Sequence, residues 1–302
     1  MAVLNAMTVD VEDYFQVSAF SNVVPASTWP SHESRVEANT DRLLEIFDGV
    51  GVRGTFFVLG WVAERFPGLV RRIQAAGHEL ASHSYDHGLV YDRTPDDFRA
   101  DLRRARAAIE DAAGVRVTGY RAPSFSVVER SLWALDVLID EGYTFDSSIY
   151  PIRHDRYGLP TWPRHLQEVR RPHGRLWELP GSTVRRGGVN WPMGGGGYFR
   201  LLPYGWTADG IRRLNEREQQ PANFYLHPWE IDPDQPRLPG GALSRFRHYR
   251  NLHDTERRLR RLLEDFQFGT ISDVLQHATA GAAGVAPASL PDQRGFAAAP
   301  PA

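Results

Sequence analysis

The sequence predicts an α/β fold in which parallel strands alternate with helices. Extended apolar runs recur along the chain, and stretches with helical periodicity separate them, which is typical of βα repeats. Polar and charged residues directly follow several of these runs, at the strand ends where parallel sheets and barrels place their chemistry. The 302 residues can bury a large core, and one α/β barrel would use most of them.

Apolar runs predict the first four strands, at residues 2–9, 54–58, 79–82 and 118–122. Between them lie two helical patterns, one around 43–47 that Gly49 or Gly51 ends and one over 67–76 that Gly77 ends. A third helix begins at Thr94, because a threonine N-cap followed by a proline and then by acidic residues is a strong start signal. We therefore expect strands and helices to alternate through the first half.

The second half continues this pattern less regularly. It predicts helices at 132–141, 207–218 and from 272 onward, and strands at 143–146, 176–179, 223–226 and 269–271. Thr207 is the expected N-cap of the second of these helices. Residues 150–205, rich in Gly, Pro, Trp and Arg, predict long loops that wall a cleft, and no role is assigned to their glycine-rich part, 187–205. Residues 279–302 are dominated by Ala, Pro and Gly, which predicts a disordered tail after a catalytic domain of residues 1–278.

Charge and composition exclude several classes of function. Lys and Arg total 35 against 37 Asp and Glu, so a net charge of −2 favours neither a nucleic acid nor an acidic lipid as partner. No cysteine is present, so a metal would need His and carboxylate ligands. No basic region followed by a long apolar run opens the chain, and no stretch approaches about 18 apolar residues. We expect a cytoplasmic protein without a membrane span.

Two histidines four residues apart, His83 and His87, predict a divalent metal site. Both rings can lie on one side of a helical turn, and a carboxylate from a neighbouring strand end would supply a third ligand. Three acidic residues, Asp10, Glu12 and Asp13, close the first predicted strand. Such a site keeps positions open for water, as catalytic metal sites do.

Five polar constellations at predicted strand ends resemble, in order, the five motifs of the NodB-like polysaccharide deacetylases, carbohydrate esterase family four. They are TVDVED at 8–13, HSYDH at 83–87, RAPSF at 121–125, DSS at 146–148 and LHPW at 226–229. The core motifs thus span residues 1–229, and 230–278 would be a family-specific C-terminal part. The stretches DVEDYF, HSYDHGLVYDRTPDDFRADL and FYLHPWEIDP more narrowly resemble the branch found with exosortase-linked exopolysaccharide gene clusters.

The resemblance implies a distorted (β/α)7 barrel with long irregular loops along the cleft. It also implies a hydrolase of linear amide bonds, which removes acetyl groups from an N-acetylated oligo- or polysaccharide during exopolysaccharide biosynthesis. The metal would be zinc, with cobalt or nickel as alternatives, and would lower the pKa of a bound water toward about 7. Asp10 would be the general base, Arg121 would hold Asp10 ionised, and His227 would protonate the departing amine.

The acidic motif departs from the commonest family pattern, in which base and metal carboxylate are adjacent aspartates. Residues two apart on a strand share a face, so Asp10 and Glu12 could both point into the site. If the strand has already turned, Asp13 could bind the metal instead. We favour Glu12, and Asp10 as a metal ligand with another carboxylate as base stays open.

Four further residues are candidates for contact with the substrate: Pro123, Ser124, Asp146 and Trp229. The backbone N–H after Pro123 could stabilise an oxyanion. Trp229 could stack on a sugar ring, although core packing is the commoner role of a single tryptophan. For Asp146, capping a loop or orienting His227 is the stronger interpretation.

Two other functions compete with this hypothesis. One is a metal-free hydrolase of small cyclic amides, of the allantoinase type, against which the intact pair His83 and His87 argues. The other is a non-catalytic glycan-binding module, which would have lost its acid or base, whereas Asp10 and His227 are both present. Metal content tests the first alternative, and turnover of an acetylated oligosaccharide tests the second.

Overall fold

A curled sheet of parallel strands forms the centre of the computed structural model, which describes residues 3–281. The strands are β1 (Asn5–Val11), β2 (Thr55–Val58), β3 (Glu79–Ser82), β4 (Gly119–Tyr120), β5 (Phe145–Asp146), β6 (Gln167–Arg171), β7 (Gly174–Glu178), β8 (Thr183–Arg186), β9 (Val189–Pro192), β10 (Asn223–Leu226) and β11 (Phe268–Gly269). The helices are α1 (Val36–Asp48), α2 (Gly60–Arg65), α3 (Pro67–Ala75), α4 (Pro95–Ala113), α5 (Trp133–Asp140), α6 (Gly196–Leu201), α7 (Tyr204–Arg212), α8 (Ala242–Tyr249), α9 (Leu252–Asp265) and α10 (Ile271–Gly281).

The strand order is β10-β1-β2-β3-β4-β5-β7-β6, with β11 paired to β1. Neighbouring strands from β10 to β7 run parallel, and β6 is antiparallel to β7. Consecutive parallel strands with intervening helices make a mixed α/β fold whose sheet curls into a half-barrel. The predicted fold class is confirmed.

The alternation of side chains along strand β1 determines on which face of the sheet Asp10 lies. Met7 and Val9 point to the outer core, which the surrounding helices cover, whereas Ala6 points to the inner cluster with Phe57. Side chains alternate along a strand, so Asp10 shares the inner face with Ala6. The carboxylate of Asp10 therefore ends inside the half-barrel.

The helices form because their apolar residues recur on one face. Helix α4 begins as the sequence predicts: the Thr94 side chain accepts a hydrogen bond from the backbone N–H of Asp97 (3.2 Å). Helices α1, α3, α4 and α9 contribute buried side chains to the outer core cluster: Leu43, Ile46, Phe47, Leu69, Val70, Ile73, Ile109, Leu259, Leu262 and Leu263. This layer fixes the sheet from outside, whereas the inner face carries the apolar cluster of Ala6 and Phe57 and, at the end of β1, the carboxylate of Asp10.

The second half differs from the prediction in two places. Helix α7 begins at Tyr204 after Pro203, so Thr207 is a buried residue inside the helix and the predicted Thr207 cap is wrong. Tertiary contact decides this start, since the Trp206 indole donates to the carbonyl of Pro192 (2.8 Å). Residues 213–218 then continue as a π-helix.

The segment 150–205, predicted as irregular loops, contains two antiparallel hairpins, β6–β7 and β8–β9, and helix α6. Its glycines allow close approach to β10. A Cβ on Gly195 would lie 1.9 Å from the carbonyl oxygen of Tyr225, and its φ of +129° suits only glycine. The glycine run therefore seats this segment against the strand that leads to His227.

Helix α10 continues to Gly281, three residues beyond the predicted domain limit. Residues 282–302, which include most of the predicted tail, lie outside the described residues. Within residues 3–281, no helix is both long and apolar enough to cross a bilayer.

Candidate metal centre and active site

The predicted catalytic and metal residues meet at the carboxyl ends of neighbouring strands. Asp10 and Glu12 come from the end of β1, His83 follows β3, Arg121 follows β4 and His227 follows β10. These strands are neighbours in the order β10-β1-β2-β3-β4. Because parallel strands present their carboxyl ends at one edge, residues far apart in sequence surround one cavity.

Glu12, His83 and His87 form a group of potential metal ligands. One ligand atom from each lies within 4.8 Å of the others, and all three residues are buried. Glu12 Oε2 is 2.7 Å from His87 Nε2, yet this oxygen has no hydrogen bond among the described residues. A buried carboxylate oxygen facing two imidazoles in this way suits a shared cation.

The protonation states of this group also fit a metal. Burial lowers the pKa of His83 to about 4, so its ring is neutral at pH 7. Burial alone would raise the pKa of Glu12, but the neighbouring imidazoles, chiefly His87 and His227, outweigh this and hold it at about 2. Two imidazoles and one carboxylate form a donor set that suits zinc, cobalt or nickel.

A backbone contact fixes the direction of the His83 ring. His83 Nδ1 lies 2.8 Å from the carbonyl oxygen of Arg121. Since a carbonyl only accepts, Nδ1 carries the hydrogen and Nε2 keeps its lone pair for a ligand.

The HSYDH segment is a bend rather than a helical turn, which corrects the expected local geometry. Ser84 and His87 have φ values of 69° and 58°, in the left-handed region. Asp101 of α4 holds this bend by accepting from Ser84 Oγ (2.7 Å) and from the backbone N–H of Tyr85 (3.1 Å). The histidines converge because a tertiary contact shapes the loop.

Asp13 lies outside the metal group. The chain has turned at this point, since the Glu12 N–H donates to the carbonyl of Asp10 (3.0 Å). Asp13 Oδ2 accepts instead from Ser34 Oγ (2.6 Å) and from the backbone N–H groups of Arg35 (2.9 Å) and Val36 (3.2 Å). The structure brings Glu12, and not Asp13, to the two histidines.

Arg121 holds Asp10 in a fixed direction. Its Nη1 donates to Asp10 Oδ1 (2.7 Å), and its side chain is fully buried. The same guanidinium donates to Thr8 Oγ1 (2.8 Å), Ser147 Oγ (2.9 Å) and Asn223 Oδ1 (3.2 Å). With Oδ1 engaged by the guanidinium, Oδ2 is the oxygen that faces His227, 3.8 Å from its Nε2.

His227 is surrounded by carboxylates. Its Nε2 lies 3.6 Å from Glu12 Oε1, and its Nδ1 lies 2.6 Å from Glu230 Oε1. Burial would lower the pKa of His227, but Glu12, Glu230 and Asp10 outweigh it and raise the pKa to about 9. At neutral pH the ring is protonated and can donate a proton.

A cavity of about 190 Å³ contains this site. Its lining includes polar, aromatic and cationic groups: Asp10, Glu12, His83, His87, Ser124, Phe125, Tyr157, Arg200, Tyr225, His227, Trp229, Ser244, Arg247 and His248. A larger groove of about 800 Å³ lies near the start of β1 and the end of α9, away from the strand ends that carry these groups. The chemistry therefore belongs to the smaller cavity.

Of the four residues predicted to contact the substrate, two line the cavity and two do not. Ser124 lines the cavity, whereas Pro123 is absent from its lining. Trp229 lines it too, but it is 4% exposed and its Nε1 donates to Glu12 Oε1 (3.2 Å), so it supports the metal group.

Asp146, the fourth of these residues, lies outside the cavity lining. Asp146 is fully buried, hydrogen-bonds Ser148 and pairs in register with Glu178 of β7. Burial raises the pKa of its carboxyl above the ordinary range. It faces a neighbouring strand and lies neither in the cavity lining nor against His227.

Two residues near the site were not predicted. Glu230 follows His227 by three positions, and that spacing was a usable signal. Arg200 comes from α6, and no local pattern marks it. Their contact, Arg200 Nε to Glu230 Oε2 at 2.5 Å, exists only in the tertiary structure.

Two family models match consecutive parts of the chain. Residues 27–144 match the polysaccharide deacetylase model, and residues 147–276 match a domain of unknown function (DUF3473). The site draws on both matched segments and on β1 before them.

Relatives and solved structures agree with the first match. A peptidoglycan-N-acetylglucosamine deacetylase of Bacillus cereus is 31% identical over 98 residues, which are 32% of this chain and 36% of that protein. A peptidoglycan deacetylase-like protein of Gibberella zeae is 30% identical over 201 residues, 64% of this chain and 58% of that protein. The chain thus aligns with less than two thirds of the length of each of these relatives.

A crystal structure from Mycobacterium smegmatis, of a protein assigned to the polysaccharide deacetylases, superposes with a TM-score of 0.62. It is 24% identical and covers 96% of this chain and 94% of its own, which is a likeness of fold. Residues 27–144 of the chain are thus similar in sequence to the polysaccharide deacetylases. Deacetylases of this class are hydrolases that act on amide bonds.

Proposed function

We propose that this protein is a metal-dependent deacetylase that removes acetyl groups from N-acetylhexosamine units of a polysaccharide. The observation that carries the proposal is the meeting of a ligand group, Glu12 with His83 and His87, and an acid–base pair, Asp10 with His227, in one cavity. Glycan-binding modules need no such pair, and cyclic-amide hydrolysis without metal needs no such ligand group.

An acetamide is a poor electrophile, so the reaction needs an activated carbonyl, an activated water and a protonated leaving group. A divalent metal held by Glu12, His83 and His87 would polarise the carbonyl and acidify water. Asp10 takes the proton of the attacking water on Oδ2, while Oδ1 remains bound to Arg121. The bond from the water oxygen to the carbonyl carbon forms in this step.

His227 completes the reaction. Its protonated Nε2 faces the cavity and donates a proton to the amide nitrogen as the carbon–nitrogen bond breaks. The products are acetate and a free amino sugar. Without this proton the nitrogen would have to leave as a strongly basic anion, so the proton is required.

We further propose that the substrate is an exopolysaccharide during its biosynthesis and that the metal is zinc. The resemblance of the three stretches at the acidic, HSYDH and HPW motifs supports the first point, and the donor set supports the second. The named relatives concern peptidoglycan, so peptidoglycan fragments are the competing substrate.

Release of acetate by zinc-loaded protein tests the proposal. N-acetylated exopolysaccharide oligomers, chitin oligomers and peptidoglycan fragments are compared, with His83→Ala as the metal-site control. We expect acetate from at least one N-acetylated glycan, fastest from the exopolysaccharide, and none from the variant. Stoichiometric zinc without acetate from any of them would overturn the deacetylase proposal, and a preference for peptidoglycan would overturn the narrower one.

A further inference from the structure

His227 is held from behind by a buried carboxylate. Glu230 Oε1 lies 2.6 Å from His227 Nδ1 and 3.2 Å from the His227 backbone nitrogen. The Glu230 side chain is 1% exposed. One oxygen thus engages both the ring and the backbone of the same residue.

The other oxygen of Glu230 is fixed by Arg200. Arg200 Nε donates to Glu230 Oε2 (2.5 Å), and Arg200 is 2% exposed. Arg200 Nη1 donates to the carbonyls of His248 (2.7 Å) and Arg250 (3.0 Å), so the guanidinium itself is anchored. Glu230 therefore cannot rotate away from His227 without losing a buried ion pair.

The protonation pattern of the ring follows from these contacts. Burial would raise the pKa of Glu230, but Arg200 and His227 hold it at about 2, so the group is a carboxylate and can only accept. A carboxylate at 2.6 Å from Nδ1 requires the hydrogen on Nδ1. The proton that enters or leaves the ring is then the one on Nε2.

We propose that Glu230, which Arg200 holds in place, is the residue that positions the His227 ring. It keeps Nδ1 as the N–H that points into the protein and turns Nε2 toward Asp10 and Glu12. This inference rests on the proposed function, in which Nε2 donates the proton to the leaving amine. We call these three residues the Arg200–Glu230–His227 relay. The relay lies within the segment that matches the domain of unknown function, so the proposal gives that segment a part in the chemistry.

Asp146, the residue expected to orient His227, does not compete for this role. Its hydrogen bond goes to Ser148, and its neighbour across the sheet is Glu178. The residue that orients His227 is therefore Glu230, in the loop that carries His227, and not Asp146 at the end of β5.

Glu230→Gln tests the relay because it keeps the shape and reverses the hydrogen bond at His227 Nδ1. Arg200 can only donate, whereas Nδ1 can change from donor to acceptor, so the glutamine amide oxygen will face Arg200 Nε and the amide NH2 will face Nδ1. The longer contact from the His227 backbone N–H (3.2 Å) is lost in this variant. Nδ1 must then accept, which moves the hydrogen of the neutral ring to Nε2. The neutral ring is thereby locked as the opposite tautomer.

Nitrogen-15 NMR of histidine-labelled, zinc-loaded protein reads the tautomer without requiring turnover. The His227 signals are assigned by their loss in His227→Gln. Spectra are recorded at a pH where the ring has lost one proton. We expect Nδ1–H in the wild type and Nε2–H in Glu230→Gln.

Acetate release is the second measurement. In the serine-protease triad, a histidine held as the wrong tautomer in an intact site lowers kcat by about 10⁴. For Glu230→Gln we therefore expect kcat to fall by about 10²–10⁴-fold and KM to stay nearly unchanged. Glu218→Gln is the matched control, because Glu218 also pairs with a histidine, His165 (3.2 Å), and with arginines, outside the cavity. It should change neither the His227 tautomer nor kcat.

The outcomes separate the relay from the wider proposal. Nε2–H in the wild type, an unchanged tautomer in folded Glu230→Gln, or a flipped tautomer with unchanged kcat would each overturn the relay. If Glu230→Gln does not fold, the wild-type tautomer still decides. The expected tautomers with no deacetylation by the wild type would support the positioning contact and refute the proposed function.

Discussion

The adjacent carboxylates Glu12 and Asp13 should respond to mutation in opposite ways. Glu12 faces His83 and His87, whereas Asp13 accepts hydrogen bonds at the start of α1. We expect Glu12→Gln to lose the metal and Asp13→Asn to keep it. Elemental analysis of dialysed protein measures this difference.

The structure also gives the size of the stability change. Asp13→Ala removes an acceptor from Ser34 Oγ and from the N–H groups of Arg35 and Val36. Loss of a helix cap costs about 0.5–2 kcal/mol, and further part-buried donors left unpaired cost about 1 kcal/mol or more each. We expect a loss of about 2–4 kcal/mol, or about 3–7 °C in Tm for a chain of this size.

Glu12→Gln should not lower stability in this way. Its Oε1 accepts only the Trp229 indole, which a glutamine oxygen also does, so the substitution leaves no hydrogen-bond donor unpaired. Calorimetry of the metal-free variants measures both effects, with Ser34→Ala as the control that removes a single donor. Metal loss in Asp13→Asn together with retention in Glu12→Gln would refute the assignment.

Three other outcomes follow from the same structure. His83→Ala should abolish metal retention, since one of three ligands is lost, and near-stoichiometric metal in that variant would contradict the site. Asp10→Asn should keep the metal and lose about 10²–10⁴-fold in kcat, the range for loss of general catalysis, and an unchanged rate would exclude Asp10 as base. Burial holds the pKa of His78 at about 4, below its ordinary 6.5. Unfolding therefore takes up a proton at His78 below pH 6.5, so the contribution of His78 to the free energy of unfolding should fall by about 2 kcal/mol between pH 6.5 and 4. Urea titrations of the wild type and of His78→Gln, which keeps an acceptor for the Gly54 N–H, measure this contribution as their difference, and an equal pH dependence in both would contradict it.

The sequence predicted the positions of the site because parallel strands end at one edge. Strands β3 and β10 lie at the predicted bounds, and His83 and His227 directly follow them. The identity of the carboxylate could not be predicted, because it depends on a turn at Asp10 and on the partners of Asp13 Oδ2, which start 21 residues later at Ser34. Strand periodicity contains no information about either.

The elements within residues 150–205 were harder to predict from the sequence because tertiary contacts determine them. Strand β6 buries only Val169 among its five residues, so its pattern shows no apolar alternation. The start of α7 is set by Pro203 and the contact of Trp206 rather than by Thr207. Arg200 belongs to the same class, since its partner Glu230 lies 30 residues away and only folding brings the two together.

The buried charges around the cavity explain why a cation belongs at Glu12. Three carboxylates, those of Asp10, Glu12 and Glu230, lie close together, and two of them are neutralised by Arg121 and Arg200. Among the described residues, Glu12 has no arginine partner and its ionic contacts are imidazoles. A buried carboxylate needs a positive partner, and for Glu12 the neighbouring imidazoles, among them the protonated His227 at 3.6 Å, hold it ionised. A divalent ion between Glu12 and the two histidines would complete the balance, which is why we assign the metal to this carboxylate and leave the other two to proton transfer and positioning.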